Sequence, residues 1–261
     1  MTKRSLPLLI IVLIGAPAAF AGIFVPLNYN GPGAYGSQWH TSVVVSNRSQ
    51  STLAGPGVLF SQCFVAPDFC GASFLYSGST GKLLSDAPHG IYINSDDSNA
   101  AFATVHIAAE PRDPDTEGTE IPIARDDDFR ASMRLINVPT GVASGHPVRA
   151  LLRLYALLPG GTGLPNASGT VIITAYDVKN PGVAATQIEV TLTASGATQA
   201  AYAEVDLSRF ASIASFVNLD VDAGKLSTTT QLHFPSSAMN VWGFASVTDN
   251  ATNDVITITA R

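Results

Sequence analysis

Alternating carboxylates form the first group of residues whose spacing suits a ligand. Asp113, Asp115 and Glu117 alternate along the chain just before a glycine, and this arrangement is typical of Ca²⁺-binding loops. Two features oppose that chemistry, because Pro114 stiffens the segment and Ala124 stands at position twelve, where such a loop needs a carboxylate. We therefore expect a solvated turn, and we keep a calcium site at Asp113, Asp115 and Glu117 as the alternative hypothesis. No other cofactor is predicted.

The chain contains two cysteines, Cys63 and Cys70, which are separated by six residues including Pro67. Cysteines this close in an oxidising compartment are typical of a disulfide that closes a short loop. A metal site would need a second pair of ligands at metal spacing, and the sequence has none. The sequence therefore predicts a Cys63–Cys70 disulfide.

Motifs that carry catalysis are absent from the sequence. It contains no G-x-S-x-G turn, no H-E-x-x-H, no phosphate-binding glycine loop and no dinucleotide fingerprint. The five histidines are scattered, and none has a partner at metal-ligand spacing. A nucleophile and its base can still lie far apart in sequence. We interpret the protein as a non-enzyme and keep an exported hydrolase as an alternative.

Four arginines repeat at a spacing of four residues, Arg130 with Arg134 and Arg149 with Arg153. Residues four apart lie on the same face of a strand. If the two strands that carry them pair, the arginines line one polar face near the acidic run Asp126-Asp127-Asp128. We interpret this face as a surface ion-pair network, and a site for an acidic ligand is the alternative.

The two tryptophans, Trp39 and Trp242, suit either a sugar-binding platform or core packing. Both stand on strand-like runs, and large aromatic rings contribute strongly to cores. We expect core packing. Exposed, coplanar rings would instead favour sugar binding.

The N-terminal segment has the order of a secretory signal peptide. Lys3 and Arg4 give a basic start, Leu6–Ile14 is apolar, and Ala19-Phe20-Ala21 is a small-x-small cleavage site. The apolar run is shorter than the roughly 20 residues that a membrane-spanning helix needs. We expect residues 1–21 to be removed, no membrane span to remain, and the protein to be exported to the periplasm, the cell surface or the medium.

The chain is acidic and contains few charged residues. The chain has 14 Lys+Arg against 20 Asp+Glu, a formal net charge of −6, and charged residues make up 13% of it, about half the usual share. Nucleic-acid binding needs a basic patch, and anionic membranes attract basic segments. The composition therefore disfavours both partners and leaves a protein or a carbohydrate as the unidentified ligand.

Alternation of apolar and polar residues is the main pattern along the chain. The clearest predicted strands are Gln38–Asn47, Val148–Leu158 and Gln187–Thr193. The residues predicted to face a core are Val43, Val45, Leu152, Leu154, Ile188, Val190 and Leu192. Those predicted to face solvent or a polar surface are His40, Arg149, Arg153, Gln187 and Glu189. The best helix candidate is short, Leu207–Ile213, with Asp206 or Ser208 as its cap.

Many short strands with frequent turns predict an all-β fold of antiparallel β-sandwiches. The acidic, proline-rich segment Pro111–Glu120 is predicted to be a linker. It would join an N-terminal sandwich at residues 22–110 to a C-terminal sandwich at residues 121–261. One large sandwich that carries this segment as a surface loop is the alternative.

Three parts of the chain resemble a group of uncharacterised exported β-sandwich proteins of soil bacteria. Gly36–Asn47 is similar to their first strand, in which a small residue, an aromatic, Thr and alternating apolar residues end in Asn. Trp242–Asn250 with Val255–Thr259 resembles their closing hairpin, and Ile123–Arg130 resembles a middle segment. The resemblance implies export and a β-sandwich fold, but no activity and no functional residue.

Together these patterns favour an exported, non-catalytic β-sandwich protein with a structural or adhesive role at the cell surface or outside the cell. A carbohydrate-binding module is the alternative, since sandwiches often present sugar platforms. Fold alone does not choose between them.

Overall fold

The computed structural model describes most of the chain after residue 20. The described stretches are 21–32, 38–54, 58–61, 71–86, 88–95, 101–109, 119–143, 145–157, 167–194, 200–228, 237–252 and 254–260. The residues of the predicted disulfide and of the alternative calcium site lie outside them, so both stay predictions. These residues are Cys63, Cys70, Asp113, Asp115 and Glu117.

The described chain is built from β-strands, all paired antiparallel, which confirms the predicted all-β class. The strands before residue 110 are β1 (Ala21–Val25), β2 (Gly31–Pro32), β3 (Gln38–Asn47), β4 (Leu53–Ala54), β5 (Phe60–Ser61), β6 (Gly71–Ala72), β7 (Phe74–Leu75), β8 (Thr80–Leu83), β9 (Ile91–Ser95) and β10 (Ala101–Ala109). The later strands are β11 (Thr119–Ile121), β12 (Ala124–Arg125), β13 (Ser132–Pro139), β14 (Val142–Ala143), β15 (His146–Leu157), β16 (Ala167–Asp177), β17 (Ala184–Thr193), β18 (Ala201–Asp206), β19 (Phe216–Thr228), β20 (Ser237–Ala238), β21 (Asn240–Asp249) and β22 (Val255–Thr259). Within the described residues, no helix has the length and hydrophobicity that crossing a membrane requires.

The N-terminal strands form two smaller sheets. One has five strands in the order β12-β1-β9-β4-β7, and the other has the order β11-β10-β3-β8-β5-β6 with β2 added beside β3. Buried residues of both sheets, among them Phe24, Ile93, Val43 and Val105, belong to one hydrophobic cluster. The two sheets therefore share a core. β11 and β12 follow the predicted linker and pair back onto these sheets; the division into domains stays a prediction.

The C-terminal strands form one long sheet that curls into a nearly closed barrel. Its eight main strands run in the order β13-β19-β16-β17-β18-β15-β21-β22. Arg130, just before β13, exchanges two backbone hydrogen bonds of 3.0 and 2.7 Å with Val241 of β21, which brings the ends together. An eight-stranded barrel is just wide enough for side chains to fill. Here mainly aliphatic residues such as Leu135, Leu154 and Ile173 fill it.

The N-terminal sheets cover part of the outer face of β15 and β21, and the C-terminal end of β15 is buried on that face as well. Tyr155, Leu157, Trp242 and Phe244 point outward from the barrel and belong to the N-terminal hydrophobic cluster. Five consecutive residues of β21, at positions 241–245, are buried. A strand that is buried on both faces has a nearly continuous apolar sequence. The barrel and the N-terminal sheets are joined through these two strands.

Most of the predicted core residues are buried. Val43, Val45, Leu152, Leu154 and Leu192 are fully enclosed, which confirms the alternation on which they were predicted. By contrast, the predicted core residues Ile188 and Val190 are only half-buried, although they pack against the barrel core. Both tryptophans are buried, as predicted, although Trp39 lies at the edge of a cavity and Trp242 within a core cluster.

Two local predictions differ from the structure. The predicted helix at Leu207–Ile213 is a 3₁₀ turn at Leu207–Phe210, and the Asp206 side chain caps it by accepting from Ser208 N at 2.9 Å. The strand β1 was not predicted. It lies between β9 and β12 because its apolar side chains fill the N-terminal core on both faces.

The two strands that carry the four arginines do not pair, so the arginines do not line one polar face. β13 pairs with β19 rather than with β15, because the barrel closes through Arg130 and β21. Arg134 consequently forms an ion pair with Asp220 of β19 at 2.8 Å, and Arg153 forms one with Glu204 of β18. Arg134 and Arg153 therefore form ion pairs in separate places on the outside of the barrel.

Candidate binding cavity

A cavity of about 620 Å³ lies between the outer face of the barrel and the N-terminal sheets. Small-molecule sites are typically concave, mostly apolar and of roughly 300–1,000 Å³. Most of the wall is apolar, and its main side chains are Leu27, Trp39, Ile107, Ile121, Leu151 and Phe244. Both sides contribute. Leu27 follows β1, Trp39, Ile107 and Ile121 lie on strands of an N-terminal sheet, and Leu151 and Phe244 lie on β15 and β21.

Three polar side chains form a connected group at one end of the cavity. Arg153 on β15 and Glu204 on β18 are direct cross-strand partners, so their side chains leave the sheet on the same face. The Arg153 Nη2 lies 3.0 Å from Glu204 Oε2, and Arg153 Nη1 donates to the Tyr202 hydroxyl at 3.4 Å. Tyr202 in turn donates to Glu204 Oε2 at 2.9 Å. The carboxylate is therefore held by two donors.

Burial changes the proton affinities of this group. Burial lowers the pKa of Arg153. The electrostatic interactions with Tyr155, Tyr202 and Glu204 raise it by more, so the pKa lies above its ordinary value. Burial raises the pKa of the Tyr202 hydroxyl, and Glu204 adds to the rise while Arg153 opposes it. At neutral pH the guanidinium is charged and the phenol is protonated, so both can donate hydrogen bonds.

His89 covers this polar group from the N-terminal side. Its ring stacks on Tyr202 with centroids 4.6 Å apart and planes at 28°. The following residue, Gly90, has φ of 88°, and a Cβ there would lie 2.3 Å from the Phe24 ring, so only glycine fits this turn. The His89 Nδ1 atom is buried, and this ring nitrogen makes no hydrogen bond to any residue that the structure describes.

A second arginine and two hydroxyls stand at the other end of the cavity. Arg149 pairs across the sheet with Thr248, and Leu151 pairs with Ser246. Odd-numbered residues of β15 and even-numbered residues of β21 share the outer face, so Arg149, Ser246 and Thr248 all line the cavity. This end combines a cation with hydroxyl groups, which is a donor set for an anion.

Tyr155 joins the outer face of the barrel to the N-terminal part of the chain. It is fully buried, and its hydroxyl donates to the Pro26 carbonyl at 3.0 Å. Its ring packs edge-on against Phe24 at 4.9 Å and lies 5.8 Å from Trp242. Burial raises the pKa of Tyr155, although Arg153 opposes the rise. The aromatic layer is therefore specified by ring packing together with one hydrogen bond.

The acidic run at Asp126–Asp128 is a 3₁₀ turn. Asp127 and Asp128 are exposed, and Asp128 accepts from Arg125 N at 2.8 Å. Asp126 accepts a hydrogen bond from Tyr92. Burial raises the pKa of Asp126 against the lowering effect of that hydrogen bond. Within the described stretches, no cluster of three His, Cys, Asp or Glu side chains suits a metal ion.

The sequence predicted the common face of only some of the residues that line the cavity or lie beside it. The alternation on β15 placed Arg149, Arg153 and Tyr155 on one face, and the structure brings that face to the cavity. Glu204 and His89 were missed, because each reaches the site through a pairing or a turn that no local spacing reports. The resemblance to exported bacterial β-sandwich proteins stays a prediction, since the chain matches no protein-family model, no curated protein and no solved structure.

Proposed function

We propose that the protein is exported and non-catalytic, with a structural or adhesive role at the cell surface or outside the cell. We also propose that its two core clusters correspond to two β domains in tandem. The observation that carries the adhesive role is an exposed aromatic pair on the N-terminal sheets. It consists of Phe74 on β7 and Tyr76 just after that strand.

The aromatic pair is placed for contact with another surface. Phe74 is 36% exposed and Tyr76 is 53% exposed. Their rings meet edge to face with centroids 4.9 Å apart. β7 is the last strand in the order of its sheet. Aromatic side chains are enriched at protein interfaces, because they bury a large area at low entropic cost. Two exposed rings, one on an edge strand and one directly after it, therefore support adhesion to a protein surface.

The alternative functions have less support. A sugar platform favours coplanar exposed rings, whereas Phe74 and Tyr76 meet at 74° and both tryptophans are buried. Glycoside hydrolysis typically uses two carboxylic acids that flank the bond. Among the described residues that line the cavity, Glu204 is the one carboxylate, and it is ion-paired with Arg153.

Deletion and complementation in the native host test this proposal. A strain that lacks the gene should attach less to surfaces, and the wild-type gene should restore attachment. The double variant Phe74→Ser/Tyr76→Ser should be exported normally and fail to restore it. Val183→Ser, which changes an exposed apolar residue at a turn of the barrel, is the matched control and should restore attachment fully. Normal attachment of the deletion strain would contradict the adhesive role.

Export is tested on the same strains. The mature protein should be recovered outside the cytoplasm and begin at Gly22, because the predicted cleavage site is Ala19-Phe20-Ala21. N-terminal sequencing checks this directly. A cytoplasmic protein that retains Met1 would contradict the proposal.

A further inference from the structure

We propose that the cavity between the barrel and the N-terminal sheets binds an uncharged small molecule whose body is an aromatic ring system. Phe74 and Tyr76, which carry the proposed adhesive role, do not line this cavity. The inference therefore adds a ligand to that role and does not depend on it.

One small residue among larger neighbours makes room for the ligand. Ser246 of β21 lies opposite Leu151 of β15. Phe244 and Thr248 stand on either side of Ser246, on the same face of the strand. All four line the cavity, whose volume of about 620 Å³ lies within the roughly 300–1,000 Å³ of small-molecule sites. The cavity thus has the size of such a site, with Ser246 as the smallest side chain of its β21 wall.

Aromatic rings from both layers of the protein face the cavity. Tyr29 and Trp39 come from the N-terminal part of the chain, and both line it. Tyr202 and Phe244 line it from the barrel strands β18 and β21. His89 lines it too and stacks on Tyr202, with ring centroids 4.6 Å apart. Aromatic rings attract one another in offset and edge-to-face arrangements, beyond the gain from burying their apolar area. This wall therefore favours a flat aromatic body over an aliphatic one of similar size.

The charged side chains of the wall favour an uncharged ligand, because the protein itself engages them. Arg153 and Glu204 form an ion pair of 3.0 Å, and the Tyr202 hydroxyl bonds to both. Arg149 stands among hydroxyl groups, but it also has an interaction within the chain. An ion that enters an apolar site loses its hydration, and only pairing with an available opposite charge offsets that loss. Side chains that are already engaged offset little of it, so the cavity disfavours a cation and an anion alike.

Hydroxyl groups of the wall suit one neutral polar substituent on the ligand. Ser246 and Thr248 share the face of β21 that borders the cavity. A hydroxyl has one donor and two acceptor lone pairs, so it can bond to an alcohol without a charge on either side. An aromatic alcohol is therefore the probe that matches both the rings and the hydroxyls of the wall.

Calorimetric titration of the full mature chain with four related probes tests the proposal. The probes are 2-naphthalenemethanol, 2-naphthoate, 2-naphthylmethylammonium and the saturated analogue decahydro-2-naphthalenemethanol. The aromatic alcohol should bind about tenfold more tightly than either ion, because the ions lose hydration without gaining a partner. It should also bind more tightly than the saturated alcohol, although the saturated alcohol is the more hydrophobic. Binding of none of the probes, an ion that binds as tightly as the aromatic alcohol, or a saturated alcohol that does so would overturn the proposal.

A cavity-filling variant locates the ligand. Ser246→Trp places a large ring where the β21 wall is smallest, so it should abolish binding of 2-naphthalenemethanol while the melting temperature stays near that of the wild type. Ser132→Trp is the matched control, because Ser132 is an exposed residue of β13 that does not line the cavity. It should bind like the wild type. Normal binding by a folded Ser246→Trp protein, or equal loss in the two variants, would overturn the assignment.

Tryptophan fluorescence keeps the test decisive if Ser246→Trp does not fold. The chain has two tryptophans, of which Trp39 lines the cavity and Trp242 does not. The probe 4-bromobenzyl alcohol quenches a tryptophan that its bromine contacts, so it should quench the wild type to saturation. Trp242→Phe should retain this quenching, and Trp39→Phe should lose it. Quenching that survives in Trp39→Phe and disappears in Trp242→Phe, or that is absent from the wild type, would overturn the proposal.

Discussion

The two faces of β15 pack in different ways, the inner face fully buried from Ala150 onward and the outer face only partly. The inner face contributes Leu152 and Leu154 to the barrel core, which is mainly aliphatic. The outer face carries Arg153 and Tyr155, whose polar atoms bond to Glu204, Tyr202 and the Pro26 carbonyl. One strand therefore contributes one face to an aliphatic core and the opposite face to a polar interface that borders the cavity.

The difference follows from what each face meets. The inner face meets the other walls of a barrel that is too narrow for anything except side chains, so a polar group there would lack a partner. The outer face meets a second layer of chain, which supplies aromatic rings such as Phe24 and backbone acceptors such as the Pro26 carbonyl. Packing two curved layers also leaves the cavity, where Arg149 lies.

A charge placed inside the barrel should lower the stability of the fold more than any other change proposed below. Leu154→Asp should lower the free energy of unfolding by about 4 kcal/mol, because an unpaired carboxylate would be buried among aliphatic side chains. Glu189→Ala is the control, since Glu189 is exposed on β17 and such changes usually stay within about 0.5 kcal/mol. Urea denaturation of the two variants measures the difference. Equal stability would mean that the alternation does not mark a packed interior.

Breaking the ion pair of the outer face should have an intermediate effect. Glu204→Gln should cost about 2 kcal/mol, because it leaves Arg153, whose side chain is 19% exposed, with a weaker partner. The matched control is Asp220→Asn in the pair with Arg134, whose side chain is 47% exposed. Exposed pairs contribute about 0–1 kcal/mol. Denaturation midpoints of the two variants should therefore separate clearly, and equal losses would mean that the N-terminal sheets do not cover Arg153.

Removing one hydroxyl from the outer face should have the smallest effect. Tyr155→Phe keeps the ring and loses the hydrogen bond to the Pro26 carbonyl, which should cost about 1 kcal/mol at pH 8. The effect should shrink at high pH. Burial raises the pKa of Tyr155 above its ordinary value of 10, so the folded protein retains a proton that the unfolded chain releases.

That linkage gives the sign of the pH dependence. The stability contributed by the protonated hydroxyl is fully present below pH 10 and is lost as the pH rises toward the raised pKa of Tyr155. The phenylalanine variant has no such proton. Its unfolding free energy should therefore fall less steeply between pH 10 and pH 11.5 than that of the wild type. Parallel slopes would show that Tyr155 is accessible to solvent in the folded protein.

Several elements could be read from the sequence because their cause is local. The strand at Gln38–Asn47 has the predicted bounds. Asp206, one of the two predicted caps, caps the short turn at Leu207–Phe210. The strand at Ala21–Val25 was missed, because a short apolar run has no alternation when both of its faces are buried. Gly243 fits β21 for a reason that only the fold reveals, since a Cβ there would lie 2.4 Å from the Arg153 carbonyl oxygen.

The sequence by itself determined the all-β class and the inward faces of the clearest strands, because side chains alternate at every residue of a strand whatever it pairs with. The tertiary structure alone decided which strands pair and what covers the outside of the barrel. Those choices bring Glu204 to Arg153 and His89 to Tyr202, and they leave the cavity beside Arg149. They depend on contacts between distant parts of the chain, and such contacts have no periodic signature in the sequence.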